Sequence, residues 1–318
     1  MQILITGGAG FIGSTLSDKL LKEGIKVLVI DNFNDFYDVN LKKQNVEPNL
    51  KNPNYKLYKG DICDKELLKK VFTENKIDKV VHLAACAGVR PSLEAPLEYV
   101  KSNIFGTVNL IECMKDFGVK KIVFASSSSV YGNCTAEKFS EDLKISEPIS
   151  PYAATKSACE QFLYTYSKLY GMSAVCLRFF TVYGPRQRPD LAINNFTNLM
   201  LKDEPLPVYG DGNSLRDYTY IDDIIAGVCS AIEYDKTDYE IINLGGGNPI
   251  TVKQVISTLE KTLGKPAKIN YLPFQKGDVN KTVSDITKAK NLLGYYPKTN
   301  FDEGITKFVE WVKSGKGK

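Results

Sequence analysis

The chain has 318 residues, 43% of them hydrophobic and 25% charged, with a formal net charge of +4. That length suits one large α/β unit or two closely joined domains around a substantial core. The slight, dispersed charge excludes a nucleic-acid footprint, and no apolar run approaches the length of a membrane span. Seven widely spaced cysteines without a C-x-x-C pair argue against a disulfide framework or zinc knuckle and point to a reducing cytoplasm. The opening Met1–Gly7 has no basic segment and too short an apolar run for a secretory signal.

Short apolar runs alternate with amphipathic stretches, the pattern of a parallel sheet with crossover helices. In chain order the reading is strand Gln2–Thr6, helix Gly13–Glu23, strand Lys26–Ile30, strand Tyr55–Tyr58 and helix Lys65–Glu74. It continues with strand Val80–Ala84, helix Leu97–Asp116, strand Lys121–Ser126, helix Tyr152–Tyr170 and strand Ala174–Phe179. The strands are apolar on both faces, so the sheet is expected to be covered on both sides. After Phe180, Pro185, Pro189, Pro205, Pro207, Gly210 and Gly212 predict mainly loops and short elements. A last helix follows at Asp302–Lys313, with Ile305, Phe308, Val309 and Val312 on one face. The fold class is α/β: a doubly wound parallel sheet of the Rossmann type with a smaller α/β substrate-binding C-terminal part. The expected boundaries are 1–178 for the dinucleotide-binding domain and 179–318 mainly for the substrate domain, with part of 215–245 returning to the first. In such sheets ligands sit beyond the carboxyl ends of the strands.

Directly after the first strand stands Gly7-Gly8-Ala9-Gly10-Phe11-Ile12-Gly13. Glycines at this spacing allow a tight turn, the approach of a pyrophosphate and close packing of helix on strand, while the helix N-terminus offers N–H groups to the phosphates. A strand before, a helix after and an acid at the end of the next strand make the pattern specific. That acid is Asp31, followed by Asn32; its carboxylate suits both ribose hydroxyls and repels a 2′-phosphate, which favours NAD over NADP. Asp61 and Ile62, after the third strand, either bracket the adenine or cap the helix from Lys65.

The fifth strand runs into Ser126-Ser127-Ser128-Ser129, and Ser150-Pro151-Tyr152-Ala153-Ala154-Thr155-Lys156 opens a helix. Tyr152 and Lys156, four apart, share one helical face. Lys156 is expected to lower the phenol's pKa and hold the nicotinamide ribose, Tyr152 to act as the base, and Ser127 to hold the reacting oxygen. Two decoys have the same spacing. Tyr55 and Lys59 lie on a strand, about 13 Å apart; Tyr164 and Lys168 lie about 18 Å further along the helix. His82, the single histidine, ends an apolar strand and is expected to be packed rather than catalytic; no metal site is expected.

Gly7-x-x-Gly10-x-x-Gly13, Asp31, the Ser127/Tyr152/Lys156 triad and Arg178-Phe179-Phe180-Thr181-Val182-Tyr183-Gly184-Pro185 together resemble the extended short-chain dehydrogenase/reductase family over essentially the whole chain. Within it the likeness is closest to nucleotide-sugar 4-epimerases, and in particular to UDP-glucuronate 4-epimerases. The resemblance implies a tightly bound NAD, removal of the 4-hydroxyl proton by Tyr152, hydride transfer, rotation of the 4-keto sugar and hydride return to its other face. Related dehydratases place an Asp-Glu pair where Ser128-Ser129 stand, and related uronate decarboxylases carry Glu at Ser129. Glucose epimerases have Asn at Thr181 and Arg at Gln275, two residues before Gly277-Asp278; Lys276 stands where many glucuronate enzymes have Pro. By the same resemblance Arg216 pairs with the substrate diphosphate, Asn195 lies near the nucleotide phosphates, Asn103 bridges the Ser127 and Tyr152 regions, and the protein is a homodimer formed through a helical bundle.

A 4-keto uronic acid is a β-keto acid and loses carbon dioxide when its carboxylate turns out of the ring plane. Arg188 and Thr181, with Ser127, Ser128 and Ser129, are the candidates for gripping that carboxylate. Arg188 reads alternatively as a surface loop arginine beside Pro189, and Arg90 either faces a pyrophosphate or is structural. Open alternatives for the whole chain are a UDP-glucose or UDP-N-acetylhexosamine 4-epimerase, a simple reductase and a non-catalytic NAD sensor.

Overall fold

Alternation of buried side chains along each strand explains why the central sheet carries two cores. On β1 (Gln2–Thr6), Ile3 and Ile5 join one cluster and Leu4 the other; on β2 (Lys26–Asp31), Val27 and Val29 face one way, Leu28 and Ile30 the other. The computed structural model describes residues 1–275, 277 and 279–315. The sheet continues with β3 (Tyr55–Lys59), β4 (Lys79–His82), β5 (Lys121–Ser127) and β6 (Ser173–Phe179). After them come β7 (Thr181–Tyr183), β8 (Leu206–Tyr209), β9 (Leu215–Tyr220), β10 (Tyr239–Leu244), β11 (Pro249–Thr251) and β12 (Ile269–Leu272). Seven strands form the main sheet in the order β10-β6-β5-β4-β1-β2-β3, every pair parallel. Its interior strand residues are almost fully buried, each large apolar side chain contributing roughly 1.5–3 kcal/mol.

Strand β10 lies far along the chain yet pairs with β6 from Tyr239↔Ala174 to Leu244↔Phe179. The helix Ile221–Glu233 before it packs on the Phe11–Lys22 helix, and Lys79 Nζ donates to Ile232 O at 2.9 Å. Beyond the sheet, β11-β9-β7 and β12-β8 form two small sheets. The region after Phe180 is more regular than its prolines predict. Helices Ala192–Leu201, Ile221–Glu233 and Val252–Leu263 occupy it, because Pro185, Pro189, Pro205, Gly210 and Gly212 fall between elements and Pro207 lies in a short strand rather than in a helix.

The expected helix Leu97–Asp116 is also corrected. Pro96–Tyr99 and Gly106–Asp116 are α-helical, while Val100–Phe105 between them is a π-helical segment with Asn103 buried inside. No helix among the described residues is long and apolar enough to cross a membrane.

Candidate active site

One cavity runs across the carboxyl ends of β1, β2, β3, β4 and β5, from the glycine turn to Arg188. Contacts inside the protein force three of the four glycines. Gly7 has φ +72°, and a Cβ on it would lie 2.7 Å from Ala84 N. On Gly8 it would lie 2.5 Å from Val29 Cγ1, and on Gly13 2.3 Å from Gly7 O. Gly10 differs: its φ is −75° and the nearest protein atom to a Cβ would be Gly7 O, at 3.4 Å. Neither backbone nor packing requires glycine there. The absent side chain instead leaves open the approach to the Phe11–Lys22 helix, whose N-terminus no side chain caps. Gly10, Phe11, Ile12 and Gly13 all line the cavity.

Asp31, at the end of β2, is buried with Oδ2 accepting from Ala9 N (3.0 Å) and Oδ1 from Phe33 N (2.9 Å). Asn32 Nδ2 donates to Asp61 Oδ2 at 2.9 Å, and Asp61 Oδ1 accepts from Cys63 N at 2.8 Å. Burial works to raise the Asp61 pKa, but these hydrogen bonds outweigh it and hold the carboxyl below its ordinary range. The helix Lys65–Glu74 is capped by Asp64, which accepts from Glu66 N and Leu67 N. Asp61 is therefore not the cap, and it lines the cavity with Ile62.

On the other side, β5 ends in Ser127, whose Oγ is 3.0 Å from Ser129 Oγ and accepts from Ser129 N. Ser150 caps the helix Pro151–Tyr170 by accepting from Ala153 N at 3.1 Å, with Pro151 preset for the first turn. This start brings Tyr152 and Lys156 to the cavity beside Ser127, Ser128 and Ser129. The decoys stand elsewhere: Tyr55 is buried in the core, and Lys168 lies over the exposed ring of Tyr164.

Burial draws the Lys156 pKa down to about 8 and pushes the Tyr152 phenol up; a hydrogen bond with Ser127 and the charge of Arg188 oppose the second shift. The opposing charge of Arg188 comes from a loop remote from this helix. The Lys156 ammonium donates to Ala125 O, 2.7 Å away, and lies 6.0 Å from the Tyr152 ring centroid.

Arg188 lies in the loop after β7. It donates from Nε and Nη2 to Asp190 Oδ1 and Oδ2 at 2.9 and 2.7 Å, over the ring of Phe36. Its side chain is 17% exposed, so it is not a solvated loop arginine. Thr181 lines the same cavity. Four other expected residues do not. Arg90 stacks on Tyr209 at 4.3 Å, Arg216 on β9 donates from Nη1 to Leu215 O, Asn195 sits in the Ala192–Leu201 helix, and Gln275 is exposed after β12. Lys276 and Asp278 of the same motif lie outside the described residues. Asn103 does not bridge to Ser127: it pairs with the backbone of Cys86 and donates to Thr155 Oγ1 at 2.9 Å, because the π-helical segment turns it toward the loop after β4.

The segment after Asp31 was missed by sequence reasoning. Asn34, Phe36, Tyr37 and Lys42 line the cavity; Lys42 Nζ is held by Asn34 O and Oδ1 at 2.8 and 2.6 Å, and Asn45 Nδ2 donates to Ala9 O at 3.0 Å. The available signal was the polar helix Val39–Val46, whose buried residues include Lys42 and Asn45.

Over residues 4–308 the chain matches the model of the family described as GDP-mannose 4,6 dehydratase. It is 50% identical over 311 residues to a UDP-glucuronate 4-epimerase of Thermodesulfobacterium geofontis (strain OPF15), spanning 98% of this chain and 95% of that one. Its structure is similar to that of UDP-glucuronic acid 4-epimerase from Bacillus cereus in complex with UDP-glucuronic acid and NAD (TM-score 0.93, 40% identity, 99% of each chain). It is also similar to UDP-glucose 4-epimerase from Thermotoga maritima with UDP-glucose (TM-score 0.91, 37% identity, 99% of each chain). The chain belongs to the GDP-mannose 4,6 dehydratase family, within the extended short-chain dehydrogenases/reductases.

Proposed function

We propose that this protein is a UDP-glucuronate 4-epimerase, an NAD-dependent isomerase that inverts the C4 hydroxyl of a UDP-linked hexuronate. The observation that carries the reading is the convergence of Ser127, Tyr152, Lys156 and Arg188 on the cavity that also holds the glycine turn and Asp31. The residues fit NAD: Gly10 leaves a cradle that a Cβ would narrow, an uncapped helix start faces it, and Asp31 presents a fixed carboxylate. When bound, NAD supplies a reversible acceptor for the C4 hydride. Gly7, Gly10, Phe11, Ile12 and Gly13 hold its phosphates, Asp31 and Asn32 its ribose, Asp61 and Ile62 its adenine end.

Tyr152 takes the proton of the sugar hydroxyl and returns it after the sugar has turned, with Ser127 orienting that oxygen. Buried Lys156 holds the nicotinamide ribose. Arg188 has five donor protons, of which Asp190 engages two, leaving three for the sugar carboxylate beside Thr181, Ser128 and Ser129. Holding that carboxylate in the ring plane keeps the keto acid from losing carbon dioxide. Arg216 and Asn195, outside the cavity lining, are assigned to a diphosphate that extends beyond it. Residues 1–178, with part of 215–245, form the cofactor half, and 179–318 most of the sugar-nucleotide half.

The assembly we propose is a homodimer through the helical segments carrying exposed Leu97, Phe105, Phe162, Tyr164 and Leu169. Sedimentation of a Leu97→Glu/Leu169→Glu variant at monomer mass beside a dimeric wild type supports it; a monomeric wild type overturns it. The free cysteines suit the cytoplasm. The test of function is incubation of the purified protein, without added cofactor, with UDP-glucuronate and UDP-glucose separately. UDP-galacturonate from the first alone is the expected result. UDP-galactose alone would keep the epimerase and overturn the carboxylate site.

A further inference from the structure

His82 ends β4 fully buried, with Nδ1 2.6 Å from Thr6 Oγ1 and Nε2 2.8 Å from Thr107 Oγ1. Counting protons fixes which partner donates. Thr107 has one hydroxyl proton and gives it to Asn103 O. Its oxygen can therefore only accept from the ring, so His82 Nε2 carries the proton. Nδ1 is left as an acceptor and takes the proton of Thr6, whose oxygen accepts in turn from Ala84 N at 3.2 Å. Further on, Asn103 Nδ2 donates to Thr155 Oγ1 at 2.9 Å, and Thr155 donates to Tyr152 O at 2.8 Å.

The result is a run of five hydrogen bonds with a single direction: Thr6 to His82, His82 to Thr107, Thr107 to Asn103, Asn103 to Thr155, Thr155 to Tyr152. One end is the last residue of β1, immediately before the glycine turn. The other is the first turn of the helix that bears Tyr152 and Lys156. We infer that His82, as its Nε2–H tautomer, is a positioning residue that sets the register between the glycine turn and the catalytic helix. It touches neither cavity nor reacting atoms; it acts through Thr107, Asn103 and Thr155. Hydride transfer from one carbon and proton transfer from its hydroxyl need the two halves of the site aligned within a fraction of an ångström, and a buried chain of hydrogen bonds with one direction supplies that alignment. A tautomeric flip would set two donors against each other at Thr6 and two acceptors against each other at Thr107, so the chain has one stable state.

The kinetic part of this inference rests on the epimerase reading; the tautomer does not, so two measurements separate them. Because His82 is the only histidine, ¹⁵N-histidine labelling of the holoenzyme gives one imidazole spin system. A protonated Nε2 with a bare Nδ1, unchanged on acidification from about pH 8 to about pH 5, is expected. A protonated Nδ1, or a ring that titrates near its ordinary value, would overturn the chain. Thr107→Val removes one hydroxyl at constant shape, and Thr107→Ser restores it. In the folded, NAD-loaded variant kcat is expected to fall at least about ten-fold with the sugar-nucleotide KM nearly unchanged, and Thr107→Ser is expected to recover it. Unchanged kcat in folded Thr107→Val, or no recovery with serine, would refute positioning even though the tautomer were right. If Thr107→Val does not fold, Thr155→Val against Thr155→Ser carries the same comparison. A wild type with no epimerase activity refutes the functional reading and with it the positioning role, while the labelled ring still decides the chain.

Discussion

Lys156 donates from Nζ to the backbone oxygen of Ala125, 2.7 Å away and two residues before Ser127 on β5. The bond anchors the catalytic helix to the strand that carries the serines. It also keeps a buried ammonium from being an orphan, although burial still draws its pKa down to about 8.

That depression has a measurable sign. Native Lys156 gives up its proton near 8, the unfolded chain near the ordinary 10.5. Between those values only the unfolded chain binds the proton, so folding stability rises with pH across the window and levels off on either side. In cofactor-free protein, the stability of wild type relative to the non-titrating Lys156→Met is expected to rise by on the order of 3 kcal/mol from pH 8 to 10.5. Urea unfolding at several pH values measures it. A flat difference would place the ammonium in a better-solvated site.

Tyr152→Phe removes the proton acceptor while leaving the ring packed edge-on against Tyr99 at 6.1 Å. Turnover is expected to drop by about 10²–10⁴ with NAD still bound after gel filtration. Normal turnover would end the assignment of Tyr152 as base.

Arg188 and Asp190 make a two-point ion pair at the cavity wall. Arg188→Ala is expected to reduce kcat/KM for UDP-glucuronate about 10–100-fold more than for UDP-glucose, the worth of lost charge-assisted bonds to a carboxylate. Equal losses on the two substrates would remove Arg188 from the carboxylate site.

Two glycines of the same turn should respond differently to alanine. Gly13→Ala drives a Cβ to 2.3 Å from Gly7 O and is expected to destabilise the fold by about 1–3 kcal/mol. Gly10→Ala meets no closer protein atom than 3.4 Å, so its Tm should stay near wild type while NAD binding weakens on the order of ten-fold. Calorimetry on both variants separates the effects. A Gly10→Ala protein that binds NAD normally would move the pyrophosphate away from this turn.

What the sequence determined by itself is local or periodic. The alternation of Ile3, Leu4 and Ile5 marks a strand buried on both faces, and the glycine turn followed by Asp31 marks a dinucleotide site. Tyr152 and Lys156 stand one helical turn apart wherever that helix lies. The fold class and the centre of the cavity were legible because each rests on neighbours in the chain. Only the tertiary structure brought the charge of Arg188 to the Tyr152 phenol, from the loop after β7, and turned the Lys156 ammonium to Ala125 O. It also carried Asn103 to Cys86 and Thr155 through a π-helical segment that no apolar period announces. The same holds for the pairing of Arg188 with Asp190, the burial of Lys42, and the run from Thr6 through His82 to Tyr152. Burial and hydrogen-bond direction depend on which distant segments meet, and side-chain spacing along one segment carries no information about that.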